Sequence, residues 1–402
     1  MNPLLNPFSP GAGTPPQEFA GRTEILDKAS LALARIKRGR SEKSLLLIGL
    51  RGVGKTVLLN HISKIAENEG YQALVMEARE KKTLPELLVP KLRELLIKLD
   101  MIEGLSEKVK RGFRVLQSFV SIAKLKIKTP DGIEYEMGID AERGVADSGD
   151  IESDLTQLFI ALGEAAKDRS TAIALIIDEM QYLSEEELSA IMMAVHRISQ
   201  LSLPLIVIGA GLPQLRGKAG DAKSYAERLF DYPEIGALAD ADAKKALQIP
   251  AQSEGASFTD DALEEIVSAT EGYPYFLQEW GYQAWNAADT KTITLEVAQK
   301  AKEQSIRKLD KNFFLVRYDR LTPKEKDYLR AMAELGAGPY YRSGDIAEKI
   351  GVEIQQVAPF RGSLIKKGMI YSPAHGDTAF TVPLFGDFMK RVIPTFERYA
   401  DK

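Results

Sequence analysis

Cysteine is absent from the 402 residues, and the only histidines are His61, His196 and His375. The lack of cysteine excludes disulfides, thiolate chemistry and cysteine-ligated zinc. The histidines are far apart in sequence, so we expect no histidine-based metal site. No apolar run reaches the ~18 residues that a membrane-spanning helix needs, and the first residues do not resemble a secretory signal. We therefore expect a cytoplasmic protein.

The remaining composition is that of a folded protein with 45% hydrophobic and 27% charged residues. Its length is sufficient for two or three domains. The net charge of −4 argues against a chain-wide binder of polyanions, although a local basic surface stays compatible with it.

A glycine-rich segment from Gly49 to Thr56 matches the pattern G-x-x-x-x-G-K-[ST] at every fixed position. An apolar strand precedes it and a helix follows, so backbone N–H groups and the positive helix end can face a phosphate. Lys55 can reach the β- and γ-phosphates, and the Thr56 hydroxyl suits Mg²⁺. The predicted nucleotide contacts are Gly49, Leu50, Arg51, Gly52, Val53, Gly54, Lys55, Thr56 and Val57.

A second motif is the apolar stretch Ile173–Ile177, which runs directly into Asp178 and Glu179. A strand that ends in a carboxylate delivers that group to the sheet edge beside the phosphate loop. We expect Asp178 to hold Mg²⁺ and Glu179 to orient or deprotonate the attacking water. The alternative is an ordinary strand-to-helix turn capped by the aspartate. No Asn-Lys-x-Asp motif selects guanine and no Leu-Ser-Gly-Gly signature occurs, which favours ATP and disfavours a transporter cassette.

Strands alternate with helices up to about residue 240, which predicts an α/β domain with a parallel sheet and helices on both faces. Thr23 is a plausible cap of the first helix, and another helix is capped near Ser148-Gly149-Asp150. Beyond residue 240 we expect seven helices, and no strand before the C-terminal module. We expect core packing for the aromatic cluster Tyr275, Phe276, Trp280, Tyr282 and Trp285. We place an extended arm at 1–20, the nucleotide domain at 21–240, a helical lid at 241–320 and a winged helix at 321–402. The segment 106–140 reads as an insertion, with a basic stretch followed by a β-hairpin around Pro130-Asp131-Gly132.

The winged helix is predicted from Ser343–Ile350, a recognition helix over Glu353–Gly368, and a wing over Tyr371–Phe380 that includes His375. In such a module the recognition helix meets base edges and phosphates of double-stranded DNA. A contact to protein or a lid role is the alternative. The candidate DNA contacts are Gln355, Gln356, Arg361, Lys366 and Lys367.

With these motifs in place, the chain resembles the AAA+ ATPases on their origin-recognition and archaeal-ATPase side. The Walker A loop is joined by the Walker B-like Asp178-Glu179-Met180-Gln181, by the box Phe19-Ala20-Gly21-Arg22-Thr23-Glu24-Ile25-Leu26, and by Gly272-Tyr273-Pro274. The resemblance implies that Gly21 and Arg22 line the adenine pocket and that Pro274, in the lid, contacts the nucleotide.

The chain departs from this family in its sensors. The fourth core strand ends in Ile208-Gly209-Ala210-Gly211 without a polar residue, and Gln214 is the nearest amide. No arginine closely follows Pro274. Arg228 could serve as an arginine finger, or it could be an ordinary surface arginine.

The sequence thus predicts an ATPase that uses Mg²⁺ and couples the nucleotide to movement of a lid and winged helix, with DNA as the expected partner. The alternatives are a nucleotide-gated DNA-binding regulator and a signalling scaffold, each with little or no turnover. Self-association stays open.

Overall fold

The computed structural model describes residues 1–11, 13–103, 106–122, 141–223, 226–336, 338, 340–374 and 376–397. These residues form two compact units. We call residues 22–49 and 55–235 the sheet unit, and residues 1–21, 50–54 and 236–402 the helical unit. No helix among the described residues is long and apolar enough to cross a membrane.

The sheet unit is built on a parallel sheet, as predicted. Its strands are β1 Ser44–Gly49, β2 Tyr71–Glu77, β3 Ala172–Asp178, β4 Leu205–Gly211, β5 Phe230–Asp231 and β6 Glu234–Ile235. The strand order is β2-β3-β4-β1-β5, and β6 also pairs with β1. β1, β3 and β4 are buried along their whole length, which explains their continuous apolar runs.

Helices accompany this sheet along the chain. They are α1 Thr23–Lys37, α2 Lys55–Asn68, α3 Leu84–Glu103, α4 Glu107–Ile122, α5 Ile151–Asp168, α6 Glu185–Gln200, α7 Gln214–Ala222 and α8 Ala226–Leu229. Asp150 caps α5 as predicted, because its carboxylate accepts from the first-turn N–H groups. The predicted cap at Thr23 is wrong by one position: α1 already begins at Thr23, after Arg22, which makes no side-chain cap.

The basic stretch of the predicted insertion is helical in its described part, where it forms α4. Its charges meet acids of the same unit: Lys108 pairs with Glu164 at 2.9 Å, and Arg111 pairs with Glu164 at 3.0 Å and with Glu142 at 3.2 Å. These pairs account for much of the positive charge that the sequence shows there. The predicted hairpin, with Lys124, Lys126 and Lys128, lies outside the described residues.

The described residues of the helical unit contain the seven helices predicted beyond residue 240 and two more. They are α9 Asp240–Ser253, α10 Asp260–Thr270, α11 Pro274–Ala287, α12 Leu295–Leu309, α13 Leu315–Tyr318, α14 Pro323–Glu334, α15 Ser343–Ile350, α16 Ile354–Lys366 and α17 Phe385–Val392. The two that were not predicted are α13 and α17, and α17 buries Phe385, Phe388 and Met389. A short π-helix over Asp310–Phe314 joins α12 to α13.

Short strands also occur in this unit, so the expectation of no strand between residue 240 and the C-terminal module was wrong. β7 Ser257–Phe258 pairs in parallel with β8 Thr292–Ile293. Near the C-terminus, β9 Tyr341–Arg342, β10 Ile370–Tyr371 and β11 Asp377–Phe380 form an antiparallel sheet in the order β10-β11-β9. Together with α14, α15 and α16 this sheet has the element order predicted for a winged helix. His375 lies outside the described residues.

The N-terminal arm packs on the helical unit and is not a free extension. The Phe8 ring is 1% exposed and lies so close to Gly281 of α11 that a Cβ there would be 2.6 Å from it. Asn6 donates to the Tyr282 carbonyl at 3.1 Å, and the Trp285 indole donates to the Asn2 carbonyl at 2.9 Å. Of the aromatic residues in α11, Phe276, Trp280 and Trp285 are core residues, as predicted, whereas Tyr275 and Tyr282 are half-buried.

Candidate functional site

The loop between β1 and α2 has the backbone that its glycines predict. Gly52 and Gly54 have φ of 84° and 94°, a region that residues with a Cβ rarely enter. At Gly54 a Cβ would meet no atom within 4 Å, so this position needs glycine for its conformation and not for space. At Gly52 a Cβ would also lie 3.0 Å from the Tyr273 ring.

Lys55 begins α2 and is buried at the base of the loop. Its Nζ donates to the Gly49 carbonyl at 2.9 Å, and its side chain is only 5% exposed. No acidic residue occupies the first turn of α2, so the positive end of the helix is not neutralised locally. The loop amides, the helix end and the ammonium group together suit a bound phosphate.

Thr56 and Asp178 come into direct contact although they are far apart in sequence. The Thr56 hydroxyl donates to Asp178 Oδ2 at 2.5 Å, and the Glu179 N–H donates to Asp178 Oδ1 at 2.8 Å. Burial raises the pKa of the Asp178 carboxyl, and these two hydrogen bonds oppose that shift. The carboxylate is thus held at the end of β3, where the sequence predicted it.

The hydroxyl and carboxylate of this pair fit a magnesium ion. Mg²⁺ is usually held by one or two protein oxygens, with phosphate oxygens and waters filling the other positions. Among the described residues, no group of three or more His, Cys, Asp or Glu could form a metal cage. The donors at Thr56 and Asp178 match the sparse ligand set that Mg²⁺ requires.

Glu179 follows in a left-handed backbone conformation, with φ 54° and ψ 36°. Its carboxylate accepts a hydrogen bond from the Gln181 amide. Gln181 is 6% exposed, and its side-chain oxygen accepts from the Leu212 N–H at 3.1 Å. From the sequence, Gln181 is only the last residue of the motif Asp178-Glu179-Met180-Gln181. Its amide, two residues after the candidate base, is the signal that could have identified it as a site residue.

The end of β4 carries no polar side chain, as expected, and the structure shows why glycine is needed there. A Cβ at Gly209 would overlap the Met180 sulfur, and one at Gly211 would lie 2.9 Å from the Gln181 side-chain oxygen. Gln214, the nearest amide in sequence, begins α7. Its side-chain oxygen is buried and accepts no hydrogen bond from the described residues.

The Gly272-Tyr273-Pro274 motif meets the phosphate loop inside the helical unit. The Tyr273 hydroxyl donates to the Arg51 carbonyl, and the Tyr275 N–H donates to the Gly52 carbonyl at 3.3 Å. Pro274, predicted as a nucleotide contact, is the first residue of α11 between these two tyrosines. The sequence analysis named neither tyrosine as a site residue.

Arg317, which no sequence motif indicated, is a half-buried cation in the same unit. Burial lowers the pKa of its guanidinium to about 10, and the charge of Arg51 adds to this effect. The guanidinium lies 3.8 Å from the centre of the Phe313 ring and donates to the Phe313 carbonyl at 2.6 Å. The search for an arginine just after Pro274 missed it because it lies more than 40 residues further along the chain.

The remaining predicted residues are more dispersed. Gly21, at φ 66°, belongs to the helical unit, where a Cβ would approach Asp242, whereas Arg22 precedes α1 in the sheet unit. The Arg228 side chain is 83% exposed on the short helix α8, 4.0 Å from Glu227. The side chains of Leu50, Arg51 and Val57 are half-buried, and that of Val53 is buried.

The predicted DNA contacts divide into exposed and engaged side chains. Gln355 and Lys366 are exposed on α16, and Gln356 accepts from the Glu353 N–H as part of a helix cap. Arg361 donates to Thr378, Ser372 and the Asp377 carbonyl, at 3.1, 2.7 and 2.9 Å. Lys367 donates to Glu325 at 2.7 Å and to the Arg320 carbonyl at 3.0 Å. Arg361 and Lys367 thus form hydrogen bonds within the C-terminal module.

Two family models match parts of the sequence. Residues 18–208 match the AAA ATPase domain, and residues 311–389 match a domain of unknown function, DUF8462. The first match contains the phosphate loop, Asp178, Glu179 and Gln181. There is no significant match among curated proteins.

Solved structures are similar to this chain at low sequence identity. A Walker-type ATPase of Pyrococcus abyssi aligns with a TM-score of 0.57 and 17% identity, over 94% of this chain and 97% of that one. The Thermotoga maritima RuvB branch migration motor aligns at 0.46 and 16%, over 93% and 94%. The Aeropyrum pernix Orc1 protein in complex with DNA aligns at 0.44 and 14%, over 94% of each chain.

Only the first of these alignments is close enough to support the fold, and none of them identifies a partner. The family match covers the site itself, where the phosphate loop has its left-handed glycines and Thr56 bonds to Asp178. Residues 18–208 are therefore an AAA ATPase domain with a P-loop.

Proposed function

We propose that this protein binds ATP with Mg²⁺ and hydrolyses it. The observation that carries the proposal is the 2.5 Å hydrogen bond between Thr56 and Asp178, beside a buried Lys55. It brings a hydroxyl, a carboxylate and an ammonium group to one end of the parallel sheet, and these are the groups that a magnesium-bound triphosphate needs.

In this proposal the loop amides and Lys55 hold the phosphates, and Thr56 and Asp178 hold Mg²⁺, which when bound neutralises charge on the phosphate oxygens. Glu179 takes a proton from a water molecule. The water oxygen bonds to the γ-phosphorus while the bond to the β–γ bridging oxygen breaks, which yields ADP and inorganic phosphate. Arg228 is proposed to act on the site of a neighbouring copy, because its guanidinium is exposed on α8.

The lid contacts support a coupling between nucleotide and domain movement. Tyr273 and Tyr275 bond to carbonyl groups of the phosphate loop itself, at Arg51 and Gly52. A nucleotide that changes the backbone of this loop would change the same hydrogen bonds. We propose that α9 to α12 form a lid and that the C-terminal module is a winged helix that moves with it.

DNA is the proposed partner of the winged helix. The exposed side chains of Gln355 and Lys366 support this part of the proposal, because they occupy the helix that would enter the major groove. They supply fewer free contacts than the sequence indicated, since Arg361 and Lys367 are engaged within the module.

A second candidate function is a nucleotide-gated switch with little turnover. It is favoured by one observation: β4 ends in glycines and presents no polar side chain to the phosphates. In that case the ATP-bound and ATP-free forms would differ in their affinity for a partner, and hydrolysis would be slow or absent.

Steady-state ATP hydrolysis by the purified protein, with and without duplex DNA, tests the two functions. Glu179→Gln is the paired control. Turnover that DNA stimulates and that the variant loses would support the hydrolase on DNA. Tight ATP binding without turnover in either condition would reject the hydrolase and leave the switch.

A further inference from the structure

We propose that Gln181 is a positioning residue that orients Glu179 and takes the place of the polar residue absent from the end of β4. This inference rests on the proposed ATPase function. It concerns the sheet unit alone and follows from the hydrogen bonds, the burial and the glycines around one side chain.

The orientation of the Gln181 amide is fixed by its two partners. Its oxygen faces the Leu212 N–H, which can only donate, at 3.1 Å. Its NH₂ group therefore faces the Glu179 carboxylate, which when ionised can only accept. The reverse orientation would place two donors against each other on one side and two acceptors on the other. The side chain is buried, so water cannot easily replace either bond.

The space for this amide exists because β4 ends in glycine. A Cβ at Gly211 would lie 2.9 Å from the Gln181 oxygen and 2.6 Å from a Leu215 methyl group. A Cβ at Gly209 would overlap Met180, which precedes Gln181 in the same turn. A polar side chain on β4 and the Gln181 amide therefore compete for one position, and this chain places the amide there.

The turn that carries Gln181 is also tied to α7. The Lys218 ammonium donates to the Gln181 carbonyl at 3.1 Å and to the Leu183 carbonyl at 3.5 Å. Both the side chain and the backbone of Gln181 are thus held by the segment that follows β4. This support helps to keep Glu179 in its left-handed conformation, which a residue with a side chain adopts only when its surroundings enforce it.

A general base must lie within hydrogen-bond reach of the water that it activates, about 2.6–3.2 Å, and a misplacement of about 1 Å slows the reaction. One donated hydrogen bond to the Glu179 carboxylate selects one orientation of that group. Loss of this bond should slow the chemical step without weakening ATP binding, because the phosphates are held by the loop and by Lys55.

Gln181→Glu tests the donated bond at a pH at which both carboxyls are ionised. The substitution keeps the volume and the oxygen that faces Leu212, and the ionised carboxylate replaces the NH₂ donor with an acceptor that carries a negative charge. We expect kcat to fall about 10-fold or more while KM for ATP changes less than about 3-fold. In a Glu179→Ala background the same substitution should leave the residual rate unchanged, because Gln181 acts through Glu179.

Gly211→Ala is the second variant, in case Gln181→Glu does not fold. It retains Gln181 but crowds its oxygen, and we expect a lower kcat with unchanged ATP affinity. Circular dichroism and the thermal midpoint check folding of both variants.

Normal kcat in Gln181→Glu, or a higher KM with normal kcat, would overturn the positioning role while the wild-type rate leaves the ATPase intact. A lower rate in the Glu179→Ala background would also overturn it. Absence of turnover in the wild type would instead reject the ATPase proposal, and this inference with it.

Discussion

The Thr56 hydroxyl donates a 2.5 Å hydrogen bond to Asp178 Oδ2, across a separation of 122 residues. Thr56 lies in the first turn of α2, after the loop that follows β1, whereas Asp178 is the last residue of β3. β4 lies between these two strands, because it pairs with both β1 and β3. The bond therefore joins the two sequence motifs at one end of the sheet.

Replacement of Lys55 by alanine should weaken ATP binding. A hydrogen bond to a charged group contributes about 1.5–3 kcal/mol, which corresponds to roughly 10- to 150-fold in Kd. Isothermal titration with ATP and Mg²⁺ measures this directly. Lys64→Ala is the matched control, since Lys64 is exposed on the same helix α2. Equal affinities of the two variants would show that Lys55 does not contact the phosphates.

Replacement of Asp178 by asparagine should stabilise the nucleotide-free protein and abolish the effect of Mg²⁺. Burial raises the pKa of Asp178 in the folded protein above its value in the unfolded chain. The protonated carboxyl therefore favours the folded state below the unfolded-state pKa, and this contribution is lost as pH rises through the folded-state pKa. At pH 7 the ionised carboxyl therefore costs stability. We expect a gain of about 0.5–2 kcal/mol, as is common when a functional polar group is removed.

The thermal midpoints of Asp178→Asn and the wild type, measured without nucleotide at pH 7 and pH 4, test this prediction. The variant should have the higher midpoint at pH 7, and the difference should shrink at pH 4. Thr56→Ser is the control that keeps the hydroxyl. A variant less stable than the wild type at pH 7 would contradict the prediction.

Glu325 should make the helical unit sensitive to acid. Burial alone would raise its pKa, but hydrogen bonds from Lys367, Ser363 and Thr322 outweigh burial and lower the pKa to about 2. Because this pKa is lower in the folded protein than in the unfolded chain, the ionised Glu325 adds to the free energy of unfolding. This contribution is fully present above the unfolded-state pKa and is lost as pH falls to about 2. Glu325→Gln should therefore cost roughly 2–3 kcal/mol at pH 7 and almost nothing near pH 2.

Urea unfolding across this pH range, followed by circular dichroism, measures the effect. Glu348→Gln on the neighbouring helix α15 is the control, because Glu348 is exposed. A constant difference between Glu325→Gln and the wild type at all pH values would disprove the role of its ionisation.

Removal of the Phe8 ring should release the N-terminal arm. Burial of this ring against α11 predicts that Phe8→Ala costs about 3–5 kcal/mol. Gly281→Ala should act in the same way, because its Cβ would occupy the position of the ring. Limited proteolysis should then cleave within residues 1–20 faster than in the wild type. Leu4→Ala, at a position 92% exposed, should leave both stability and cleavage unchanged.

Lys366 and Arg361 should respond differently if the C-terminal module binds DNA. Lys366→Ala should weaken binding to any duplex. It should also reduce the steepness of the plot of log binding constant against log salt concentration by about 0.9, the amount expected for one phosphate contact. It should not lower the thermal midpoint. Arg361→Ala should cost about 1.5–3 kcal/mol in stability, because three hydrogen bonds are lost. Fluorescence anisotropy at several salt concentrations, with unfolding curves for both variants, separates the effects.

The sequence by itself determined the local parts of the site. The core strands along the chain, the glycine-rich loop with Lys55 and Thr56, and the carboxylate at the end of β3 all follow from short patterns. Such patterns work because each constraint acts between neighbours in the chain. The same reasoning identified the α/β class and the aromatic core residues of α11.

Only the tertiary structure decided which side chains are free to act. Arg361 and Lys367 looked like DNA contacts, yet each is held by partners more than ten residues away. The sequence indicated no contact for Gln181, yet its side chain bonds to Glu179 and to the backbone of Leu212, just beyond β4. The physical reason is that hydrogen-bond partners and free space depend on contacts between distant segments, which short sequence patterns do not specify.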